Sequence, residues 1–436
     1  MLPMSPRPID RLRIVSQLHS TCAHILISHM TCIIPNTAAA IEIVSALEKS
    51  RNAATGSSGF EATDFEDVVE MILDKFKLDK RICRRDARLI WRQAAFAISD
   101  KKITVERLDS AARSEVSKFL RRKPKPYILA TSISLKLWAH RVTRRIGSSS
   151  ITITRSLPLS FDQSNATSEN GQYSRPKPFD WFSARVRADA RSHMEAFDTM
   201  MNNLDFVRGI WNYLINHSTW RAFSSDETRP LNRILPGPIH TLHFKSGKPA
   251  TSAYWYEPNF REQTAYYPSS EDWRRIENGE RRIRKRLRDG GLGPQIEGVL
   301  IRYCRALDGR DAAKASLQLW GILETLTGVD KQKTASPVSR AMSTVPKGLV
   351  TPGFFDVLRE RRNLSVHQGV EDDEQRSTLS RINWLVTQVI SVALGLSREF
   401  SSLSEFGEFL DLPSERSVLK KQIQRRQLAL KFNGLS

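Results

Sequence analysis

The chain has 436 residues, 40% of them hydrophobic and 26% charged, a soluble globular composition long enough for two or three domains and a substantial core. Its four cysteines, Cys22, Cys32, Cys83 and Cys304, are too few and too scattered for a disulfide framework, and no CxxC pair is present of the kind that holds zinc. With 67 Lys and Arg against 47 Asp and Glu, the net charge is +20, and such a field favours polyanions: nucleic acid or an anionic membrane surface.

Residues 1–60 read as a lead segment without a determined element, closing in the linker-like SRNAATGSSGF (50–60). Arg7, Arg11 and Arg13 ahead of an apolar run ending in Ala38-Ala39-Ala40 imitate a secretory signal, but Gln17, His19, His24 and His29 interrupt the run. The apolar stretches 14–34 and 384–396 are either broken in this way or too short to cross a bilayer. The expectation is a cytoplasmic protein with no membrane partner.

A helical section is expected over 61–126. Thr63 or Asp64 can cap a helix whose Phe65, Val68, Val69, Ile72, Leu73 and Phe76 recur at helical spacing. A second helix carries Leu89, Ile90, Ala94 and Ile98, and a third runs from about 104 to 120. RRKPKP (121–126) then stops helical structure, because proline neither donates a backbone N–H nor tolerates a helical residue before it.

From 127 to 265 the expectation is a mixed α and β domain. YILATSISLKLW reads as strand, and Ile151-Thr152-Ile153-Thr154 alternates in strict period two. After a polar break (162–178), residues 180–220 read as helical, with Leu204, Val207, Ile210, Trp211 and Leu214 on one face. In the segment 236–260, Ser246-Gly247 reads as the turn of a hairpin. His240 and His243, as His-Thr-Leu-His, do not alternate onto one strand face, so no metal is expected there. Tyr254, Trp255 and Tyr256 read as core or sheet surface rather than a base-stacking platform.

Residues 266–293 form a basic helix or linker. Arg274, Arg275, Arg281, Arg282, Arg284, Lys285, Arg286 and Arg288 stand against two glutamates, and Ile276, Ile283 and Leu287 make only a thin apolar stripe. This face is either solvated or a phosphate-binding surface, with Arg281, Arg282, Arg284, Lys285, Arg286 and Arg288 as its nucleic-acid contacts.

An α-bundle is expected over 294–412. Ile296, Val299, Leu300, Tyr303, Cys304 and Leu307 follow the i, i+3, i+4, i+7 pattern. Asp311 can cap the next helix, which carries Leu319, Ile322, Leu323 and Leu326 and stops at Gly328. A third helical run ends in FFDVLRERRNLSVHQG, and INWLVTQVISVALGL (382–396) is apolar nearly all round, as a buried bundle helix should be. Residues 413–436 form a basic amphipathic C-terminal helix.

RRNLSVHQG (361–369) is the candidate site. His367 near Gly369 suits the last turn of a helix, where unpaired carbonyls gather. It also suits chemistry. Asn363 and His367 are four apart and share a helix face, while Arg362 stands about 100° round from Asn363. An imidazole can exchange a proton with a ribose hydroxyl or a leaving oxygen. A guanidinium offers paired donors to the oxygens of a phosphorane, and Asn363 can orient the ring.

The C-terminal part, about 294–400, resembles the HEPN superfamily and its Apea-like branch. The residues carrying the likeness are IEGVLIRYCRALDGRD, then LQLWGILETLTG with Glu324, then RNLSVH, which fits the pattern Arg, Asn, three variable residues, His. The resemblance covers about a quarter of the chain. It implies a helical bundle that pairs as a homodimer, so that Arg362 and His367 of two copies line one cleft. It implies metal-independent endoribonuclease activity on RNA without a cofactor, in bacterial antiviral defence, toxin systems or RNA processing. Carried over by motif position, Arg362 and His367 are the catalytic pair, Asn363 supports them and Glu324 contributes from the second helix. Gln368 and Gly369 stand where HEPN toxins silenced by nucleotide addition carry a tyrosine two residues beyond the histidine, which argues against that control. The alternative is a non-catalytic RNA-binding or dimerisation module acting as sensor or adaptor. The fold class expected is thus mainly α: a four-helix-type HEPN bundle preceded by a mixed α+β region and an N-terminal helical section.

Overall fold

The computed structural model describes residues 33–34, 37–54, 61–76, 78–98, 102–158, 160–161, 180–218, 231–257, 260, 263–328, 337–346, 353, 360 and 375–434. These are mostly helical, with one six-stranded sheet. The chain divides into two units, Met1–Tyr127 with Asp189–Thr199, and Ile128–Ala188 with Met200–Ser436. No helix among the described residues is long and apolar enough to cross a membrane.

Among its described residues the first unit holds α1 (Ala38–Ala54), α2 (Glu61–Lys75), α3 (Arg84–Phe96) and α4 (Val105–Arg121), together with the start of the helix at His193. Thr104 caps α4 by accepting from Arg107 N–H, and the acidic first-turn residue Glu106 and basic Lys118 and Arg121 of the last turn suit its dipole. The expected helices over 61–126 are present. The lead segment, however, contributes α1, whose Ala40, Ile43, Val44 and Leu47 are buried with Phe65, Val69, Ile72, Trp91 and Leu108 in one core. Those four α1 residues stand at i, i+3, i+4 and i+7, a helical stripe that the run of three alanines at 38–40 disguises. Arg51, inside the expected linker, is itself buried and donates to the carbonyls of Ile98 at 2.7 Å and Ala95 at 3.3 Å, closing the open end of α3. Ile33 and Ile34 are tied down by Asp109 of α4, whose Oδ1 accepts both backbone N–H groups at 2.7 and 3.0 Å. Burial works to raise the Asp109 carboxyl, but Arg113 and these N–H groups outweigh it and hold its pKa below the usual range.

In the second unit the sheet runs β2-β3-β4-β1-β5-β6, with β1 (Lys125–Ile133), β2 (Arg141–Ile146), β3 (Ser149–Thr154), β4 (Phe182–Ala190), β5 (Ile239–Phe244) and β6 (Pro249–Tyr256). β2–β3, β3–β4 and β5–β6 pair antiparallel. The alternation in ITIT is borne out: Ile151 and Ile153 are buried. Residues 182–190, read as helical, are instead β4. Ala184, Val186, Ala188 and Ala190 are buried while Arg187 and Asp189 point out, a period-two pattern in which small residues replace most of the usual β-branched ones. Helix follows as α5 (His193–Ser218), where Ser192 accepts from Glu195 N–H at 2.9 Å and the Glu195 carboxylate returns to Arg191 N–H.

The hairpin turn is where Ser246-Gly247 predicts it, with Gly247 at φ +91°. A register shift lies between Thr241 and His243, and β5 is buried at every position but its last. His240 and His243 are therefore both buried, not divided between a buried and an exposed face. Each ring is committed to hydrogen bonds: His240 to Thr131 Oγ1 at 2.7 Å and Glu257 at 3.2 Å, His243 to Thr241 Oγ1 and the Gly247 carbonyl, both at 2.8 Å. Burial lowers the His243 pKa against the pull of the Gly247 carbonyl. β6 is one edge of the sheet, and Tyr256 on it is half exposed.

The C-terminal helices are α6 (Ser270–Asp289), α7 (Gly293–Asp308), α8 (Ala312–Leu326), α9 (Pro337–Met342), α10 (Gln375–Gly395), α11 (Leu403–Leu410) and α12 (Arg416–Phe432). Every stripe residue expected on α7 and α8 is buried, and Asp311 caps α8 by accepting from Lys314 N–H at 2.8 Å. Gly328, at φ +61°, follows the α8 terminus, a conformation that any side chain would strain. α10 packs most extensively on α8 and also meets α6, α7 and α9. The short helices α9 and α11 lie outside the expected four. Buried Arg340 of α9 joins them, pairing with Asp411 at 2.6 Å and donating to the carbonyls of Thr327 and Gly328. No residue of α12 is buried.

The sheet and the C-terminal helices, separate domains by sequence texture, belong to this one unit. The links are long-range polar pairs that no local pattern displays: Arg144 of β2 with Glu277 and Glu280 of α6, and Arg208 of α5 with Asp308 of α7.

Candidate functional site

α6 is the most charged element. Ser269 caps it through Asp272 N–H at 3.0 Å, and Glu271 and Asp272 face its positive end. Ile276, Gly279, Glu280, Ile283 and Leu287 are the buried stripe. Gly279 packs close to Leu214: a Cβ there would meet the leucine's methyl carbons at 2.8 Å, and that side chain would have to shift. Glu280 is the unexpected member. Its carboxylate, 2% exposed, accepts from Arg144 Nε at 2.8 Å, Trp211 Nε1 at 2.9 Å and Arg284 Nη1 at 3.4 Å. Glu277 takes the other end of the Arg144 guanidinium at 2.8 Å. Burial works against the Arg144 charge, yet these two carboxylates hold its pKa above the usual guanidinium value.

Both glutamates within the basic run are thus turned to Arg144 and do not balance the outer face. Of the six arginines and lysines expected to contact nucleic acid, Arg284 is also turned inward, donating to Glu280 and to the Arg145 carbonyl. Arg281, Arg282, Lys285, Arg286 and Arg288 are exposed. Arg282 and Lys285 make no ion pair among the described residues, whereas Arg288 meets Asp289 at 3.3 Å. Burial tends to raise the Asp289 carboxyl, but Arg398 and Arg288 hold its pKa below the usual range. The bond from Arg284 to Arg145 sets the exposed Arg145 of β2 beside this face. That strand residue was not among the candidates because its neighbours in sequence carry no sign of α6.

An exposed row of this kind interacts with polyphosphate by displacing counterions, about 0.7 per contact on a single strand. Replacing Arg281, Arg282 and Lys285 together with glutamine is expected to reduce the slope of log affinity against log salt by about 2. Fluorescence anisotropy of a labelled RNA across a salt series measures it; an unchanged slope would show that α6 touches no phosphate.

Glu324, the expected contributor from the second bundle helix, lies near the end of α8. One of its oxygens accepts from Trp320 Nε1 at 2.9 Å. It lines a cavity of about 590 Å³ together with Gln295, Gly298 and Arg302 of α7, Thr325, and Ser404 of α11. Arg302 donates to Thr325 Oγ1 at 3.0 Å and is otherwise exposed, so a cation and a carboxylate face one groove between α7 and α8. Arg362, Asn363 and His367 lie outside the described residues, as does the end of the helical run that leads to them. Among the described residues no group of three or more His, Cys, Asp or Glu is placed to hold a metal ion.

No protein-family model matches the sequence, no curated protein matches it, and no solved structure matches the chain.

Proposed function

We propose that the chain is a metal-independent endoribonuclease of the HEPN type, related to the Apea-like branch, serving in bacterial antiviral defence or as a toxin. The observation that carries the reading is the setting of the Arg-Asn-x3-His motif. It precedes α10, a helix buried along most of its length, and follows α7 and α8, whose apolar stripes are buried against one another and α10. In the reaction the ribose 2′-hydroxyl attacks the adjacent phosphorus, the bond to the 5′-oxygen breaks, and a 2′,3′-cyclic phosphate remains. One proton leaves the 2′-oxygen and one reaches the departing 5′-oxygen. In a homodimer cleft two copies of His367 divide these transfers, two copies of Arg362 take the charge that builds on the phosphorane oxygens, and Asn363 holds the imidazole. Glu324 contributes from α8, and the exposed cations of α6 hold the substrate backbone.

The test is incubation of purified protein with total RNA in excess chelator, beside His367→Ala, with the new ends mapped. Cleavage leaving cyclic phosphate ends is expected, and the substitution is expected to lower the rate by about 10² to 10⁴, the usual worth of a general acid or base. Cleavage that survives His367→Ala unchanged removes the assignment. A second reading, an RNA-binding or dimerisation module serving as sensor or adaptor, draws on the exposed α6 cations. It gains if RNA is bound but never cut.

A further inference from the structure

The junction of α7 and α8, Asp308 to Asp311, lines one side of a second cavity. The Leu235–Pro236 segment, Glu257 and Phe260 form the other, and the space between is about 490 Å³, a volume suited to a small organic ligand.

Three cations and three carboxylates line it, and most already have partners. Asp308 is held by both terminal nitrogens of Arg208, at 3.1 and 2.9 Å, and by Asn232 at 2.7 Å. Glu257 faces buried His240 at 3.2 Å. Asp311 is the N-cap of α8. Arg305 is bound to Asp205 and Asn202, each at 2.7 Å. Two carbonyls at the negative end of α7, those of Cys304 and Leu307, are answered by Asn232 at 2.7 and 3.2 Å.

Arg310 and Lys314 remain. Neither makes an ion pair among the described residues, and both line the cavity; Arg310 Nε is shut away from solvent without a hydrogen-bond partner, so it is the rest of the guanidinium that can meet a ligand. The first turn of α8, with its positive end, faces the same space. Phe260 and Pro236 add apolar lining, and Gln318 adds an amide.

We propose that this cavity binds a free mononucleotide, its phosphate on Arg310, Lys314 and the start of α8, its base against Phe260 and Pro236. The site stands independently of the nuclease reading, since no step of that reaction passes through it.

Calorimetric titration of the full chain with AMP, GMP, CMP and UMP tests it, with adenosine and inorganic phosphate as the two halves of the ligand. Saturable binding of at least one mononucleotide is expected, with phosphate weaker and adenosine weaker still. Arg310→Gln and Lys314→Gln are each expected to weaken it about tenfold, the worth of one charge-assisted hydrogen bond. Lys314 is exposed, so Lys314→Glu provides a variant that leaves the fold intact should Arg310→Gln disturb it. The proposal falls if none of the four nucleotides binds, if adenosine binds as well as AMP, or if Lys314→Glu binds like the unsubstituted protein.

Discussion

Arg208→Met is expected to destabilise the protein by about 3–5 kcal/mol, the range for stranding a buried charge. Arg208 is 1% exposed and holds three groups: Asp205 at 2.5 Å, Asp308 through two bonds, and the Ile234 carbonyl at 2.9 Å. Burial opposes its charge, but Asp308, Cys304 and Asp205 outweigh that and keep its pKa well above the usual value. Methionine fills the space and answers none of these groups. Asp205 keeps Arg305, so Asp308 bears most of the loss. The double variant Arg208→Met with Asp308→Leu removes both charges, and recovery of most of the stability is expected. The pH dependence has a definite sign. Burial already raises the Asp308 pKa against the pull of Arg208, and without Arg208 it rises further. A carboxyl with a raised folded pKa favours folding at low pH; its penalty begins as pH passes the unfolded value and grows up to the folded one. The deficit of Arg208→Met should therefore be smallest in acid and widen towards neutrality. Urea midpoints over that range measure it, and a deficit independent of pH would mean that Asp308 is not the stranded group.

How much of this was legible depends on the distance over which each feature acts. α7 and α8 declare themselves in a dozen residues because each buries one face, and Ile296 to Leu307 need no knowledge of their neighbours. β4 does not, since FSARVRADA sets alanine at three of the positions on its buried face, with Val186 the one β-branched residue among them, and looks as helical as extended. Glu280 inside a run of arginines has the texture of a solvated surface. Its burial depends on Arg144, 136 positions earlier, and on Trp211. Arg208 in an apolar helix likewise hides its role until Asp308 arrives from α7. The cavity at Arg310 is formed by segments 45 residues and more apart in sequence, so Arg310 by itself reads as a linker residue. The Arg362, Asn363 and His367 motif is the reverse case: entirely local and visible at once, while the chemistry proposed for it depends on whether two copies meet.

Glu280→Ala is the second large effect, and it separates what holds α6 from what α6 does. Alanine leaves the Trp211 Nε1 donor buried without an acceptor and takes one of two carboxylates from Arg144, whose side chain is only 16% exposed. A stranded buried donor costs about 1–3 kcal/mol and the unbalanced charge adds to it, so a loss of about 3–5 kcal/mol is expected. Glu280→Gln keeps one acceptor oxygen for those donors and should cost less. Neither change touches Arg281, Arg282, Lys285, Arg286 or Arg288 on the outer face. Below the unfolding transition the salt slope of RNA binding should therefore stay as in the unsubstituted protein, although the urea midpoint falls sharply. The triple glutamine variant of the outer face should do the opposite, flattening the slope with little change in midpoint. If Glu280→Ala instead flattens the slope while the protein remains folded, the inward carboxylate is part of how α6 meets RNA, and its role is not confined to anchoring the helix.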